Sequence, residues 1–220
     1  MRPNCRDQFR DGIRKHPPNT RRYSIEGNSK SVHEEVRRMP NTRGGKSPAT
    51  FFLDRDGTVN AAPPPGLYLT RPEELRLLPG AAEAVRTLNR RGHRVVVVTN
   101  QRGVARGLVT WVELAAVERR LAELLGAEGA HWDGYYVCPH AENSCRCRKP
   151  RPGLLEAAAR DIPRLSLPDA VMIGDSETDV GAGRAAGCRT VRLAPPGTPS
   201  AADRVVADLR SAVRILTEGE

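Results

Sequence analysis

Thr50-Phe51-Phe52-Leu53-Asp54-Arg55-Asp56-Gly57-Thr58 sets a short apolar run directly against a polar cluster that holds two carboxylates. A run this short, bounded by turn-forming residues, reads as a strand buried on both faces, as parallel sheets require. The pattern recurs along the chain. Strands are expected at Arg94 to Val98, Gly134 to Val137, Ala170 to Ile173 and Thr190 to Leu193, with Arg204 to Val206 as an edge. Amphipathic stretches lie between them. One opens at Pro79-Gly80, runs through Leu88 and stops at Gly92; a second is capped by Thr110, runs through Leu125 and stops at Gly126. Two more cover Pro152 to Arg160 and Thr178 to Ala186, with Gly187 as a C-cap. Strands alternating with helices predict an α/β fold, a Rossmann-like parallel sheet flanked by helices with no large cap domain.

The 220 residues suffice for one ordinary domain. A net charge of +9 would suggest a nucleic-acid or membrane partner if it were spread over a folded surface. It is not spread. Residues 1–49 hold 12 Lys and Arg against 5 Asp and Glu, which leaves 23 against 21 for residues 50–220. We therefore expect a disordered basic tail over residues 1–48 and a near-neutral folded domain over 49–220, an arrangement that argues against a nucleic-acid partner. Within the tail, Gly44-Gly45-Lys46-Ser47 resembles the end of a phosphate-binding loop, but Pro40 stands where the first glycine is required and Pro48 where a helix should run. No run is long enough for a membrane span and no secretory signal opens the chain, so a cytoplasmic protein is expected; a monomer is expected as well.

The chemistry-bearing residues gather at the expected strand ends. Asp54 and Asp56 follow the first strand, Thr99 and Asn100 the second, Cys138 and His140 the third, and Asp175 the fourth. In parallel α/β sheets these ends converge on one crevice, where ligands bind. Two carboxylates two residues apart can face that crevice together, one to attack phosphorus and the other to protonate a leaving oxygen. Thr99 offers a hydroxyl, the amides beyond it can meet phosphate oxygens, and Lys149 offers a compact charge. Asp175 can join Asp54 as a hard ligand for Mg²⁺. Asp179 either supports that site from behind or starts a helix.

Phe51 to Thr58, Val98-Thr99-Asn100-Gln101, Cys145-Arg146-Cys147-Arg148-Lys149-Pro150 and Gly174-Asp175-Ser176-Glu177-Thr178-Asp179 together resemble the four motifs of the haloacid dehalogenase superfamily, over about residues 50–195. The branch of heptose-bisphosphate and histidinol-phosphate phosphatases is the most similar. The resemblance implies a phosphatase of a small phosphorylated metabolite with Asp54 as nucleophile and Asp56 as general acid and base. It also implies phosphate and substrate contacts from Thr99, Asn100, Gln101, Arg102, Arg148 and Lys149. Mg²⁺ would be held by Asp54, the backbone carbonyl of Asp56 and Asp175.

Cys138-Pro139-His140 followed by Cys145-Arg146-Cys147 supplies four borderline or soft donors, the complement of a structural Zn²⁺ site, with a loop disulfide as the alternative. The family carries a zinc loop of this kind, which supports the metal reading. Where heptose enzymes present polar residues, this chain reads Ala61-Ala62-Pro63-Pro64-Pro65-Gly66-Leu67-Tyr68. A heptose bisphosphate is the expected substrate, with histidinol phosphate as the alternative and a nucleic-acid end-processing phosphatase as the reading from another class.

Overall fold

In the computed structural model, residues 49–218 are described. The expected tail, with Cys5 and the Gly44-Gly45-Lys46-Ser47 stretch, lies outside the described residues. The apolar runs form six strands: β1 (Thr50–Leu53), β2 (Arg94–Asn100), β3 (Gly134–Cys138), β4 (Val171–Gly174), β5 (Arg189–Leu193) and β6 (Arg204–Val206). They pair in the order β3-β2-β1-β4-β5-β6, every pair parallel. Four helices connect them, α1 (Ala81–Arg90), α2 (Trp111–Ala127), α3 (Gly153–Asp161) and α4 (Glu177–Ala185), and a fifth, α5 (Leu209–Glu218), follows β6.

Alternation along each strand divides the core into two layers. Phe51, Leu53, Val95, Val171, Ile173 and Val191 pack with Val85 and Leu88 of α1, Leu121 and Leu125 of α2 and Val213 of α5. Phe52, Val96, Val98, Tyr136 and Met172 turn to the other face, against Leu154, Leu155 and Ala158 of α3 and Ala182 of α4. Register pairs Phe52 with Val96 and with Met172, so the second layer is one continuous apolar row. Full burial of each such side chain contributes on the order of 1.5–3 kcal/mol.

The boundaries differ from the sequence pattern in ways that packing explains. β2 continues to Asn100 because Thr99 and Asn100 pair with Val137 and Cys138. α2 passes through Gly126, since buried Leu121 and Leu125 anchor its last turns. Two elements were not anticipated: a 3₁₀ turn at Pro72–Glu74, and α5, whose buried Leu209, Ala212 and Val213 cover the first layer beside α1.

Strand order reverses between β1 and β4, with β2 and β3 to one side and β5 and β6 to the other. At such a switch point the following loops diverge and leave a crevice beyond the carboxyl ends. Among the described residues, the segments that follow β1 and β2, 54–80 and 101–110, hold only the 3₁₀ turn and no cap domain. No helix among the described residues is long and apolar enough to cross a membrane.

α4 lies close enough to the sheet that a Cβ on Gly183 would stand 2.7 Å from Thr190 and 2.8 Å from Met172. Alanine in a helix is favoured over glycine by about 1 kcal/mol, whereas forcing atoms into a packed core costs about 1–3 kcal/mol. The clash should win. Gly183→Ala is expected to be destabilised by up to about 2 kcal/mol in urea unfolding; a gain in stability would mean that the contact relaxes freely.

Candidate active site

β1 ends by delivering Asp54, whose amide donates to the Ile173 carbonyl of β4 at 3.0 Å and so fixes the carboxylate over the switch point. Lys149 reaches it from the loop before α3. Its Nζ lies 2.7 Å from Asp54, 2.6 Å from Asp179 and 2.9 Å from the Val98 carbonyl, and the side chain is 2% exposed. Asp179, at the third position of α4, also accepts from the amide and hydroxyl of Ser176, so it caps the helix and supports the lysine at once. Asp175 follows β4. A Cβ on Gly57 would stand 2.2 Å from Asp175 Oδ2, and Gly57 has a φ of 86°, so glycine is required there both for the turn and for the approach of that carboxylate.

Carboxylate oxygens of Asp54, Asp175 and Asp179 lie within 4.8 Å of one another, with only Lys149 to offset them. Burial, together with the neighbouring Asp179, pushes the Asp54 carboxyl up to about 7 despite Lys149. Burial and Asp179 raise Asp175 as well. The cluster lacks positive charge, and its donors are all hard oxygens, which fits Mg²⁺. The expected set used Asp56 through its backbone carbonyl. Its side chain stands outside this cluster.

Asp56 is instead held from three directions. Arg55 grips it with Nε and Nη2 at 3.0 and 2.8 Å, Asn60 Nδ2 donates at 2.9 Å and Gln101 Nε2 at 2.8 Å. Burial alone would raise its pKa, but Arg55 and these donors hold it below the usual carboxylate range. Arg55 is fully buried, with Nη1 directed at the Tyr135 hydroxyl at 3.5 Å. Nearby Glu118 is pushed up to about 7 by burial, with Arg55 opposing the rise.

Thr99 is buried, and its hydroxyl accepts from Gln101 Nε2 at 2.9 Å. The Gln101 amide, expected to be free for phosphate, donates to the Cys138 carbonyl at 2.7 Å as the chain leaves β2. Asn100 spends both side-chain groups on the Lys149 backbone: Oδ1 accepts from its amide and Nδ2 donates to its carbonyl, each at 3.1 Å. Asn100 and Gln101 thus position Lys149 and Asp56.

Cys138 ends β3, and the loop beyond it brings back His140, Cys145 and Cys147. Cys138 Sγ lies 3.6 Å from Cys145 and 3.5 Å from Cys147, while His140 Nδ1 lies 3.6 Å from Cys138 and 3.2 Å from Cys147. These sulfurs are free thiols. Around tetrahedral zinc, ligand edges come to about 3.8 Å between sulfurs and about 3.5 Å between sulfur and nitrogen. The four donors therefore fit Zn²⁺. The Cys138 thiol is pulled down to about 4, chiefly by its hydrogen bond with Cys147 against the effect of burial.

The rim is made by arginines. Arg148 donates its amide to Cys145 Sγ at 3.4 Å, which ties it to the cysteine loop. Its Nη1 is buried without a partner, and Nη2 is 3.9 Å from Glu142. Arg102 pairs with the same Glu142 oxygen and donates Nε to the Tyr68 hydroxyl at 3.2 Å; Arg106 donates to that hydroxyl at 3.2 Å as well. Tyr68 packs over Gly103.

A family model described as haloacid dehalogenase-like hydrolase matches residues 50–187, a span that contains the aspartates, the lysine and the cysteine loop. The chain belongs to this family. The D-glycero-alpha-D-manno-heptose-1,7-bisphosphate 7-phosphatase of Mycobacterium bovis is 37% identical over 159 residues, 70% of this chain and 83% of that protein. The D-glycero-beta-D-manno-heptose-1,7-bisphosphate 7-phosphatase of Escherichia coli K12 is 36% identical over 77% of this chain and 95% of its own. The crystal structure of the D,D-heptose 1,7-bisphosphate phosphatase of B. bronchiseptica, complexed with magnesium and phosphate, superposes with a TM-score of 0.68 at 33% identity, covering 78% of this chain and 99% of that one. With these relatives, this haloacid dehalogenase-like hydrolase is a phosphoric monoester hydrolase.

Of the residues singled out by sequence, Asp54, Asp175, Asp179 and Lys149 come together in one cluster, Gln101 joins Thr99 to Asp56, and the cysteines with His140 form a second cluster. Sequence reading missed Arg55, Asn60, Tyr68, Arg106 and Glu142. Arg55 carried a signal, since an arginine between two aspartates at a buried strand end must find a carboxylate. Glu142 carried none.

Two expectations follow for this hydrolase. An acid whose folded pKa exceeds its unfolded value stabilises the fold below the unfolded value and loses that contribution as pH rises through the folded one. For Glu118 the window runs from 4.5 to about 7. Glu118→Gln should therefore gain stability relative to the parent when urea unfolding is moved from pH 5 to pH 8, and a pH-independent difference would exclude a buried carboxyl. Separately, metal analysis should find about one zinc per chain. Cys145→Ser should lose that zinc and melt earlier, whereas active, metal-replete protein without zinc would exclude the tetrahedral reading.

Proposed function

We propose that the chain is a Mg²⁺-dependent D-glycero-D-manno-heptose 1,7-bisphosphate 7-phosphatase working through an aspartyl phosphate on Asp54. The observation that carries this reading is the seat of Asp54 at the switch point, with Lys149 at 2.7 Å and a carboxylate cluster short of positive charge. Mg²⁺, when bound by Asp54, the Asp56 carbonyl and Asp175, would neutralise phosphate oxygens and keep those carboxylates ionised. The magnesium and phosphate in the B. bronchiseptica structure support that choice.

Asp54 attacks phosphorus while the ester P–O bond breaks, and the leaving oxygen takes a proton from Asp56. Water then attacks the phosphorus, Asp56 accepts its proton, and the bond to Asp54 breaks to release phosphate. Asp56 must change protonation state between the two steps. In the free protein Arg55, Asn60 and Gln101 keep it ionised, the form the second step needs; an arriving phosphate dianion raises its proton affinity by like-charge repulsion for the first. Lys149 and Thr99 would hold the transferred group. The buried, unpartnered Nη1 of Arg148 would take a second anionic group of the substrate.

We place this activity in residues 49–220. A reducing cytoplasm suits a loop of metal-binding thiols. Asp54→Asn should stay folded and lose turnover by at least about a thousandfold in phosphate release. Wild-type-like activity in that variant would sink the covalent mechanism. A phosphate-release screen over the heptose bisphosphate anomers, histidinol phosphate, other sugar phosphates and 3′-phosphorylated oligonucleotides tests the substrate. Higher efficiency on histidinol phosphate would reassign it and leave the reaction class standing.

A further inference from the structure

Glu142 sits in the loop between His140 and Cys145, exposed to solvent, and one of its carboxylate oxygens faces two guanidinium groups. It touches Arg102 Nη1 and stands 3.9 Å from Arg148 Nη2. Three arginines converge there, because Arg106 and Arg102 share the Tyr68 hydroxyl. Glu142 is the only carboxylate that any of the three is seen to pair with among the described residues, so positive charge is in excess. Arg148 is also undersatisfied: one nitrogen is buried without a partner and the other meets its carboxylate at the outer limit of an ion pair. A carboxylate bridging two guanidiniums beside a buried free donor occupies the place of an external anion.

A phosphate dianion outcompetes a carboxylate for such a pair, since it brings more charge and a third acceptor oxygen. Glu142, however, is tethered, so it competes at high effective concentration and returns whenever the ligand leaves. The product of 7-phosphate removal keeps its second phosphate, and that group alone would hold it in the site.

We propose that Glu142 is a built-in competitor for the second-anion subsite formed by Arg102 and Arg148, weakening the hold on the bisphosphate and helping to expel the product that retains the second phosphate. The inference rests on the bisphosphate reading above for its ligand, but on Glu142 and Arg102 for its mechanism. It assigns Glu142 to selectivity and release.

The test compares wild type with Glu142→Gln, using p-nitrophenyl phosphate as reporter substrate and heptose 1-phosphate and fructose 1,6-bisphosphate as inhibitors. Raised salt screens the general loss of one negative charge, because the Debye length is then only a few ångströms. Removing the competitor should tighten inhibition by both sugar phosphates roughly two- to fivefold, the range expected of an exposed ion pair, and lower the KM for p-nitrophenyl phosphate by less. The gain should vanish in Arg102→Ser/Glu142→Gln, because the pair that Glu142 guards is then broken. Equal shifts for inhibitors and reporter would reduce Glu142 to a diffuse field and overturn the proposal, as would no shift in either. If wild type ignores heptose bisphosphate yet the variant selectively tightens fructose 1,6-bisphosphate, the substrate reading fails and the competitor stands.

Discussion

Lys149 imposes the constraint on which the rest of the crevice depends. An ammonium buried between two carboxylates and a main-chain carbonyl is held by charge-assisted bonds that water does not screen. Removing one partner from such a group leaves an uncompensated buried charge and costs about 3–5 kcal/mol. The lysine therefore cannot withdraw without a large penalty, and its partners tie together three elements: Asp54 after β1, Val98 within β2 and Asp179 on α4. Burial would otherwise strip the ammonium of its proton, but the two aspartates raise its pKa above the ordinary value. A permanent cation thus stands beside the nucleophile.

The loop that carries Lys149 has no regular structure, so its position must be imposed from outside. Asn100 does this on one side by bonding the lysine's own amide and carbonyl. On the other side the cysteine cluster ties the chain to the end of β3, the Arg148 amide rests on Cys145 sulfur, and the Arg151 guanidinium donates to the Cys145 carbonyl. A metal held there would close a short loop whose first arm is anchored at the end of β3 and whose second arm leads, two residues after Cys147, to the reactive lysine. Its effect on chemistry would be indirect, through the order of that segment.

Most of the fold was legible because burial and strand period agree. Phe51 to Leu53 and Arg94 to Val98 read as strands buried on both sides, and that is where they lie. β2 ran past its expected end and α2 through Gly126, since tertiary pairing and buried leucines override local signals. α5 escaped notice although its apolar residues recur at helical spacing. In the site, residue types set at strand ends announced themselves, because topology alone carries them to one crevice. Contacts between loops did not: Arg55 folds inward onto Asp56, Asn60 returns four residues to the same carboxylate, and Glu142 meets Arg102 across 40 positions. Only three-dimensional closure makes those pairs.

The same distinction explains why the reaction class reads more clearly than the substrate. Asp54, Thr99, Gln101 and Lys149 are buried, where electrostatic terms are strong and a lost partner is severely destabilising, so their chemistry tolerates few alternatives. Glu142 is 60% exposed and Arg102 38%. Pairs of that kind are worth a fraction of a kcal/mol to about 1 kcal/mol, enough to shift selectivity severalfold and too little to affect folding. Substitutions at the rim therefore leave no mark on the core pattern from which a fold is read. The proline-rich segment before Tyr68 belongs to this layer: it brings a hydroxyl to Arg102 and Arg106 while contributing almost nothing to the core.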